Sequence, residues 1–341
     1  MKHHFYLLIT IQLLITATSC YTMENKSNIL AEITGLDNPV QTIFLANDRI
    51  AINAINKCSI FDLSTQQEIP ISTKSFSAYD PIALPYLAVH PNKQKLAFAH
   101  DQTIRIYNTK TGTEEFSAST NDPSKIVASL IFSPSDDTIL VCYKNSCIIE
   151  HYNYKDNTLY DSIPAHGKSY APIIRFNPTK ERLCIAPNPG PISIRSFDKH
   201  PTEIFPTARD YHSCCEYSFD GSLIAFGNAH KITILDPYTL GYIEKNFKET
   251  ISSIAFHPKK QILALQLLTL FNNTVHFYDA QTFNYITELL LLIPDKTKNL
   301  KYHDLSFSPD GEKLIIALAD KCIILPIPLE VIHHYDTTEN I

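Results

Sequence analysis

The alternation of apolar and polar positions is clearest between positions 305 and 327, which read LSFSPDGEKLIIALADKCIILPI. A short strand ends at an aromatic residue, a Ser-Pro-Asp-Gly turn follows, and a polar break separates two further apolar runs. Proline and Asp-Gly favour tight turns, and short apolar runs between turns are typical of strands. The stretch therefore predicts a β-hairpin that is extended by a third strand.

The same unit recurs along the whole chain, and a weaker fourth strand such as YIEKNF follows the third. The turn position of the seven copies is occupied by Ala46, Pro91, Pro134, Pro178, Phe219, Pro258 and Pro309. The mean spacing is about 44 residues, and such a period with several strands per repeat is typical of propeller blades. We therefore predict an all-β fold, namely a seven-bladed β-propeller of four-stranded antiparallel blades.

The arrangement of blades in a ring has a physical reason. A four-stranded sheet cannot bury both of its faces alone, whereas blades around an axis cover one another and leave only short edges. A row of separate sandwich domains is the alternative, and the uninterrupted period disfavours it. We expect Ile29 to Ile33 to form the outer strand of the last blade; the alternative is that Glu330 to Tyr335 supplies it.

The copies resemble the blades of WD-repeat β-propellers, over roughly residues 28 to 330. The resemblance rests on hairpins such as Phe307 to Gly311 and on third strands that end in a pair where the family has Trp-Asp. These pairs are Phe61-Asp62, Tyr107-Asn108, Phe197-Asp198, Leu235-Asp236 and Tyr278-Asp279. The family's Gly-His pair has a counterpart only at Ala165 to Gly167, which is a departure from the usual His-to-Asp network. The resemblance implies a scaffold that binds proteins through its two ring faces.

Charge argues against nucleic acid as a partner. The formal net charge is −6 at pH 7, and no run of lysines and arginines supplies a local basic face. A nucleic-acid footprint normally needs such a face. We therefore expect no direct binding of nucleic acid.

The first nineteen residues have the pattern of a secretory signal, with Lys2, an apolar stretch and then small residues. The next residue, Cys20, resembles the lipidated cysteine of bacterial lipoproteins, although Ala17 stands where that motif has a branched aliphatic residue. Lipid anchoring and free secretion both stay open, and an uncleaved N-terminal anchor is a further alternative. We predict a signal peptide at 1–19, a tether at 20–27, the propeller at 28–330 and a tail at 331–341, in a protein exported to the bacterial cell envelope.

Seven cysteines remain after Cys20, and their spacing fits neither a disulfide framework nor a zinc site. Cys142 and Cys147 are the best candidates for a disulfide, across a tight hairpin. The alternative, which we favour for most of the seven, is that they are small buried apolar residues. Cys322 stands at a third-strand position that is occupied by Thr103, Cys58 and Thr274 in other copies, and we interpret it as a packing residue.

Loops that enter the innermost strands of a propeller gather near its axis, and here they carry imidazoles and carboxylates. The candidate axial binding face consists of Asp80, His166, Asp210, His212, His303 and Asp304, with Asn121, Asp122 and Glu249 in the same loops. Such a set can bind a metal or do acid–base work, and the alternative, which we favour, is a solvated polar rim. The sequence has no G-x-S-x-G, no H-E-x-x-H and no glycine-rich phosphate loop. We expect no catalytic residues, no metal and no cofactor.

These observations predict an exported, monomeric, non-enzymatic scaffold with protein partners, which meets the membrane only through an N-terminal lipid. One alternative is an extracytoplasmic propeller enzyme or small-ligand binder, lactonase-like or sugar-binding, that uses the axial loops. Another is a cytoplasmic WD-repeat scaffold whose N-terminal segment only resembles a signal.

Overall fold

Seven four-stranded antiparallel sheets form the blades of a β-propeller, as the repeat predicts. The structure is a computed structural model. It describes residues 29–37, 39–72, 86–100, 102–119, 122, 124–134, 137–144, 146, 148–156, 158–164, 172–179, 182–187, 190–196, 203–205, 214–268, 273–291, 304–318 and 320–334. Among these, no helix is both long enough and apolar enough to cross a membrane.

The strands are numbered in chain order. In each blade they are given from the innermost to the outermost strand. Blade 1 contains β2 (Pro39–Ala46), β3 (Arg49–Ala54), β4 (Cys58–Asp62) and β5 (Gln67–Ser72). Blade 2 contains β6 (Tyr86–Val89), β7 (Lys95–His100), β8 (Thr103–Asn108) and β9 (Glu114–Ser119). Blade 3 contains β10 (Val127–Phe132), β11 (Thr138–Tyr143), β12 (Ile148–Asn153) and β13 (Thr158–Pro164). Blade 4 contains β14 (Ile173–Phe176), β15 (Arg182–Ala186), β16 (Ile192–Ser196) and β17 (Glu203–Phe205).

The remaining blades follow the same order. Blade 5 contains β18 (Cys214–Tyr217), β19 (Ile224–Asn228), β20 (Lys231–Leu235) and β21 (Tyr242–Asn246). Blade 6 contains β22 (Thr250–Phe256), β23 (Ile262–Leu268), β24 (Asn273–Asp279) and β25 (Tyr285–Leu291). Blade 7 contains β26 (Leu305–Phe307), β27 (Lys313–Ala317), β28 (Lys321–Pro326) and, as its outer strand, β1 (Ala31–Thr34). The helix α1 (Leu329–His333) follows blade 7.

The N-terminal strand closes the ring. β1 pairs antiparallel with β28, and Ile33 lies opposite Cys322. The prediction that Ile29 to Ile33 supplies the closing strand is therefore confirmed, with the strand beginning at Ala31. The alternative, that Glu330 to Tyr335 supplies this strand, is wrong, because Glu330 to His333 lie in α1. The first and last parts of the chain are thus held in one sheet.

The apolar core is divided among the junctions between blades. The buried apolar residues that the structure describes form seven clusters, and each cluster draws mainly on two neighbouring blades. Ile52 and Ile324 pack in the cluster between blades 7 and 1, for example, and Ile60 and Leu96 in the one between blades 1 and 2. Burying a side chain of this size contributes about 1.5–3 kcal/mol. Each blade is therefore stabilised by its neighbours.

The acidic residue that stands where the family has the Asp of Trp-Asp caps the turn between the third and fourth strands. Asp236 Oδ1 accepts hydrogen bonds from the backbone amides of Tyr238 at 2.7 Å and Thr239 at 3.2 Å. In blade 6, Asp279 Oδ1 accepts the backbone amides of Gln281 and Thr282 in the same way. At this repeat position the acidic residue thus stabilises a turn.

In blades 4 and 6, the residue between the aromatic and the proline of the unit reaches into the next blade. Asn177 in blade 4 donates from Nδ2 to the carbonyl of Gly221 in blade 5 at 2.8 Å. His257 in blade 6 accepts the Lys259 amide at Nδ1 and donates from Nε2 to the carbonyl of Gly311 in blade 7 at 3.2 Å. Both acceptor glycines have positive φ, at +69° and +80°. The Asp-Gly turns are therefore tied to the preceding blade.

These contacts predict that Gly311→Ala destabilises the protein more than Gly35→Ala. Gly35 has φ +73° with open space where a Cβ would lie. The destabilisation caused by Gly35→Ala therefore measures backbone strain alone, about 1–2 kcal/mol. A Cβ at Gly311 would lie 2.3 Å from His257 Nε2, and relieving such a clash costs typically about 1–3 kcal/mol more. Thermal and urea unfolding of both variants measure the difference. Equal losses at the two positions would contradict the inter-blade contact.

Candidate functional site in the axial channel

Of the six residues of the candidate axial binding face, the structure describes Asp304. The other five, Asp80, His166, Asp210, His212 and His303, lie outside the described residues, as do Asn121, Cys20 and Cys147. Asp122 is exposed and accepts hydrogen bonds from the backbone amide and hydroxyl of Ser124, within its own loop. The described part of the axial region is therefore the channel itself.

The innermost strands of all seven blades surround a channel with a cavity volume of about 960 Å³. Its wall is mostly apolar or small, as at Ile43, Ala88 and Ala255. Among the described residues, four charged ones interrupt it, namely Lys93, Arg175, Glu216 and Asp304. These four provide the charged groups of the described wall.

Asp304 connects blade 7 to blade 1 at the point where the ring closes. Its Oδ2 accepts a hydrogen bond from the backbone amide of Thr42 at 2.6 Å, and its Oδ1 accepts one from the hydroxyl of Ser253 at 3.3 Å. Burial raises the pKa of Asp304 to about 6, although the Thr42 bonds and the charge of Arg175 oppose this. The carboxyl of Asp304 thus has a structural role in the ring.

Gln41 makes the corresponding connection between blades 1 and 2. Its side chain accepts the backbone amide of Leu87 at 2.8 Å and donates to the carbonyl of the same residue at 3.0 Å. In the aligned repeats Gln41 and Asp304 occupy the same position, and Thr42 and Leu87 occupy the next one. Asp304 and Gln41 therefore each bind the backbone of the following innermost strand.

Arg175 and Glu216 form an ion pair between blades 4 and 5, with Arg175 Nε 3.0 Å from Glu216 Oε2. Burial opposes the charge of Arg175, but Glu216 and other nearby negative groups outweigh it, so the pKa of Arg175 is raised. Lys93, from the first turn of blade 2, is exposed to the channel. Burial by the channel wall lowers its pKa, and the charge of Glu216 opposes that effect. The channel wall therefore offers charged groups of both signs to a polar solute.

Sequence reasoning missed this pair, although the repeats carry a signal for it. Arg175 and Glu216 occupy the position before the aromatic residue of the unit. In the other five copies this position holds Ile43, Ala88, Ile131, Ala255 and Ser306. Opposite charges at one repeat position in two consecutive blades indicate a contact between those blades. Among the described residues, no group of three or more His, Cys, Asp or Glu side chains is arranged to hold a metal.

Comparison with known proteins supports the fold alone. No family model and no curated protein matches the chain. A chain in a solved structure described as "Crystal Structure of Mitotic Checkpoint Complex" is similar, with a TM-score of 0.70 and 10% sequence identity over 91% of this chain and 95% of that chain. In all, 1582 solved chains match, so the fold is common and does not by itself select a function.

We predict that the stability of the fold depends on pH through Asp304, and that Asp304→Asn removes this dependence. The pKa of about 6 lies above the ordinary 3.8, so folding favours the protonated carboxyl. The protonated carboxyl of Asp304 stabilises the folded state fully below about pH 4. This contribution to the free energy of unfolding, at most about 3 kcal/mol, is lost as the pH rises through about 6. Thermal unfolding between these pH values measures how the wild type weakens relative to Asp304→Asn.

Asp310→Asn is the matched control for this experiment. Burial opposes ionisation of Asp310, but hydrogen bonds from Ser308 and the Glu312 amide outweigh it and lower the pKa. Its contribution therefore has the opposite sign and is lost as the pH falls. Parallel pH profiles for the wild type and Asp304→Asn would overturn the interpretation.

Proposed function

We propose that the chain is a WD-repeat-like propeller that acts as a non-enzymatic protein-interaction scaffold. The repeated hairpins and the Asp-capped turns support the family resemblance. The similar solved chain comes from a structure described as a complex, which is consistent with a propeller that has protein partners. The observation that carries the proposal is the exposed apolar surface of blade 5.

Blade 5 concentrates large exposed apolar side chains. Eleven such side chains are exposed among the described residues, and five of them lie between positions 219 and 243. We call these five the blade 5 surface: Phe219, Tyr238, Leu240, Tyr242 and Ile243. Asn177 Nδ2 contacts both the Gly221 carbonyl and the Tyr238 hydroxyl, so the turn with Phe219 and the turn with Tyr238 and Leu240 are neighbours, while Tyr242 and Ile243 lie in β21. Exposed apolar groups in one region mark interaction sites.

Backbone geometry supports a role for Leu240 beyond folding. Leu240 has φ +61°, and the corresponding positions four residues after the capping Asp or Asn hold Gln66, Gly112 and Phe283, all with positive φ. Phe283 is buried, and its ring packs edge-on against Tyr278 at 5.1 Å, so packing offsets the strain. Leu240 is exposed. A strained, exposed leucine is consistent with selection for binding.

The double variant Leu240→Asn/Tyr242→Thr tests the scaffold role. Asn tolerates the left-handed conformation and Thr favours strands, so we expect folding to be retained. The variant should capture partner proteins several-fold less than the wild type in cross-linking and pull-down from the native host. Circular dichroism and Tm should be unchanged.

The matched control is Leu159→Thr/Tyr160→Thr, which removes two exposed apolar side chains from β13 in blade 3. It should capture the same proteins as the wild type. Equal capture by all three forms would exclude the blade 5 surface. Turnover of a small molecule by the purified protein would overturn the non-enzymatic role itself.

Export to the bacterial envelope, by secretion or by a lipid on Cys20, is part of the proposal, and residues 1–19 support it. Intact-mass measurement of the mature protein should show that residues 1–19 are missing, with or without a lipid on the new N-terminus. A mature protein that begins at Met1 would instead support the cytoplasmic alternative or an uncleaved N-terminal anchor.

Binding of a small ligand is the second candidate function, and the channel favours it. A cavity of about 960 Å³ with Arg175 and Lys93 in its wall suits a small anionic or polar molecule. A ligand that raises Tm for the wild type but not for Arg175→Met would favour this candidate over the scaffold.

A further inference from the structure

Two cysteines meet at the junction between blades 4 and 5. Cys184 lies in β15 and Cys215 in β18, and their sulfur atoms are 3.8 Å apart. Both are free thiols and both are buried in the same apolar cluster. The four other described cysteines, Cys58, Cys142, Cys214 and Cys322, pack in clusters at other junctions.

One of the two cysteines belongs to the channel wall. Cys215 lines the channel with 2% of its surface exposed, whereas Cys184 is 0% exposed and does not line it. Arg175 lies opposite Cys184 in the pairing of β14 with β15. The contact with Cys184 and burial raise the pKa of Cys215, and the positive charge of Arg175 opposes them. Of the pair, Cys215 is therefore the one that a solute in the channel meets first.

We propose that Cys184 and Cys215 are a redox-modification site, at which a small disulfide that enters the channel joins blades 4 and 5 by a covalent bond. The Cys215 thiolate attacks one sulfur of the small disulfide, forms a mixed disulfide and releases one small thiolate. The Cys184 thiolate then attacks Cys215 Sγ and releases the second small thiolate. Two protein thiols are oxidised, one small disulfide is reduced to two thiols, and the leaving thiolates take up the two protons.

The geometry of the pair suits this bond. The sulfur atoms must approach from 3.8 Å to the covalent distance of about 2.05 Å, and they already lie in contact. The bond closes a loop of about 30 residues that spans two blades, and such a closure stabilises the folded state mainly by restricting the unfolded chain. The inference does not depend on the proposed scaffold role, because it rests on the junction alone.

The experiment treats the purified full chain with oxidised glutathione at about pH 8.5, without denaturant, followed by alkylation and peptide mass spectrometry. We expect a peptide pair linked through Cys184 and Cys215 and the loss of two free thiols per chain. Tm should rise by roughly 5 °C or more and return to its starting value with dithiothreitol.

Three variants make the test specific. Cys184→Ser should lose the linked pair and retain a glutathione adduct on Cys215, which is the trapped intermediate. Cys215→Ser should acquire neither. Cys214→Ser, on the same strand, is the matched control and should still form the bond. If Cys184→Ser fails to fold, Cys184→Ala takes its place.

Two results would overturn the proposal. One is a wild-type protein that retains both thiols, or that carries only a glutathione adduct on Cys215. The other is a linked pair that forms only after the protein has been unfolded, since this would show that the native junction does not admit the reaction.

Discussion

Packing between neighbouring blades is the interaction on which the rest of the structure depends. The apolar clusters of the described residues lie between blades, so no blade has a core of its own. The ring must therefore close for every blade to be stable, and β1 closes it by pairing with β28. At the same junction, on the channel side, the carboxyl of Asp304 accepts the backbone amide of Thr42. Closure by both ends of the chain makes the folding of the ring cooperative.

The sequence was sufficient to predict the architecture because the repeat period and the turn residues are local signals. Proline and Asp-Gly at fixed spacing predicted the hairpins. The strand-like segment from Ile29 to Ile33, which precedes the first unit, predicted the closing strand. The site was less accessible, because it depends on which repeat positions meet across blades. Arg175 and Glu216 stand in separate units, and only superposition of the repeats places them side by side. Asp304 was selected as a loop carboxylate, whereas its structural bond to Thr42 depends on the ring.

The pairing of polar groups explains how a mostly apolar channel holds charges. Arg175 is neutralised by Glu216 in the adjacent blade, so neither charge has to depend on water alone. The carboxyl of Asp304 instead accepts the amide of Thr42, and burial raises its pKa, which favours the neutral form. His257 shows the same logic at a blade junction: burial lowers its pKa to about 4, which keeps the ring neutral as a donor to Gly311.

Several specific contacts accompany the apolar packing between blades 4 and 5. This junction holds the Arg175–Glu216 ion pair, the Cys184–Cys215 contact and the bond from Asn177 to Gly221. Arg182 of blade 4 also donates to the Pro237 carbonyl at 3.0 Å and lies over the Tyr238 ring at 4.8 Å. The contacts of Asn177 and Arg182 reach the turns of blade 5 that carry Phe219, Tyr238 and Leu240. A binding surface gains affinity when its side chains are fixed before the partner arrives, because less conformational entropy is lost on association. These contacts therefore favour the docking role that we propose for the blade 5 surface.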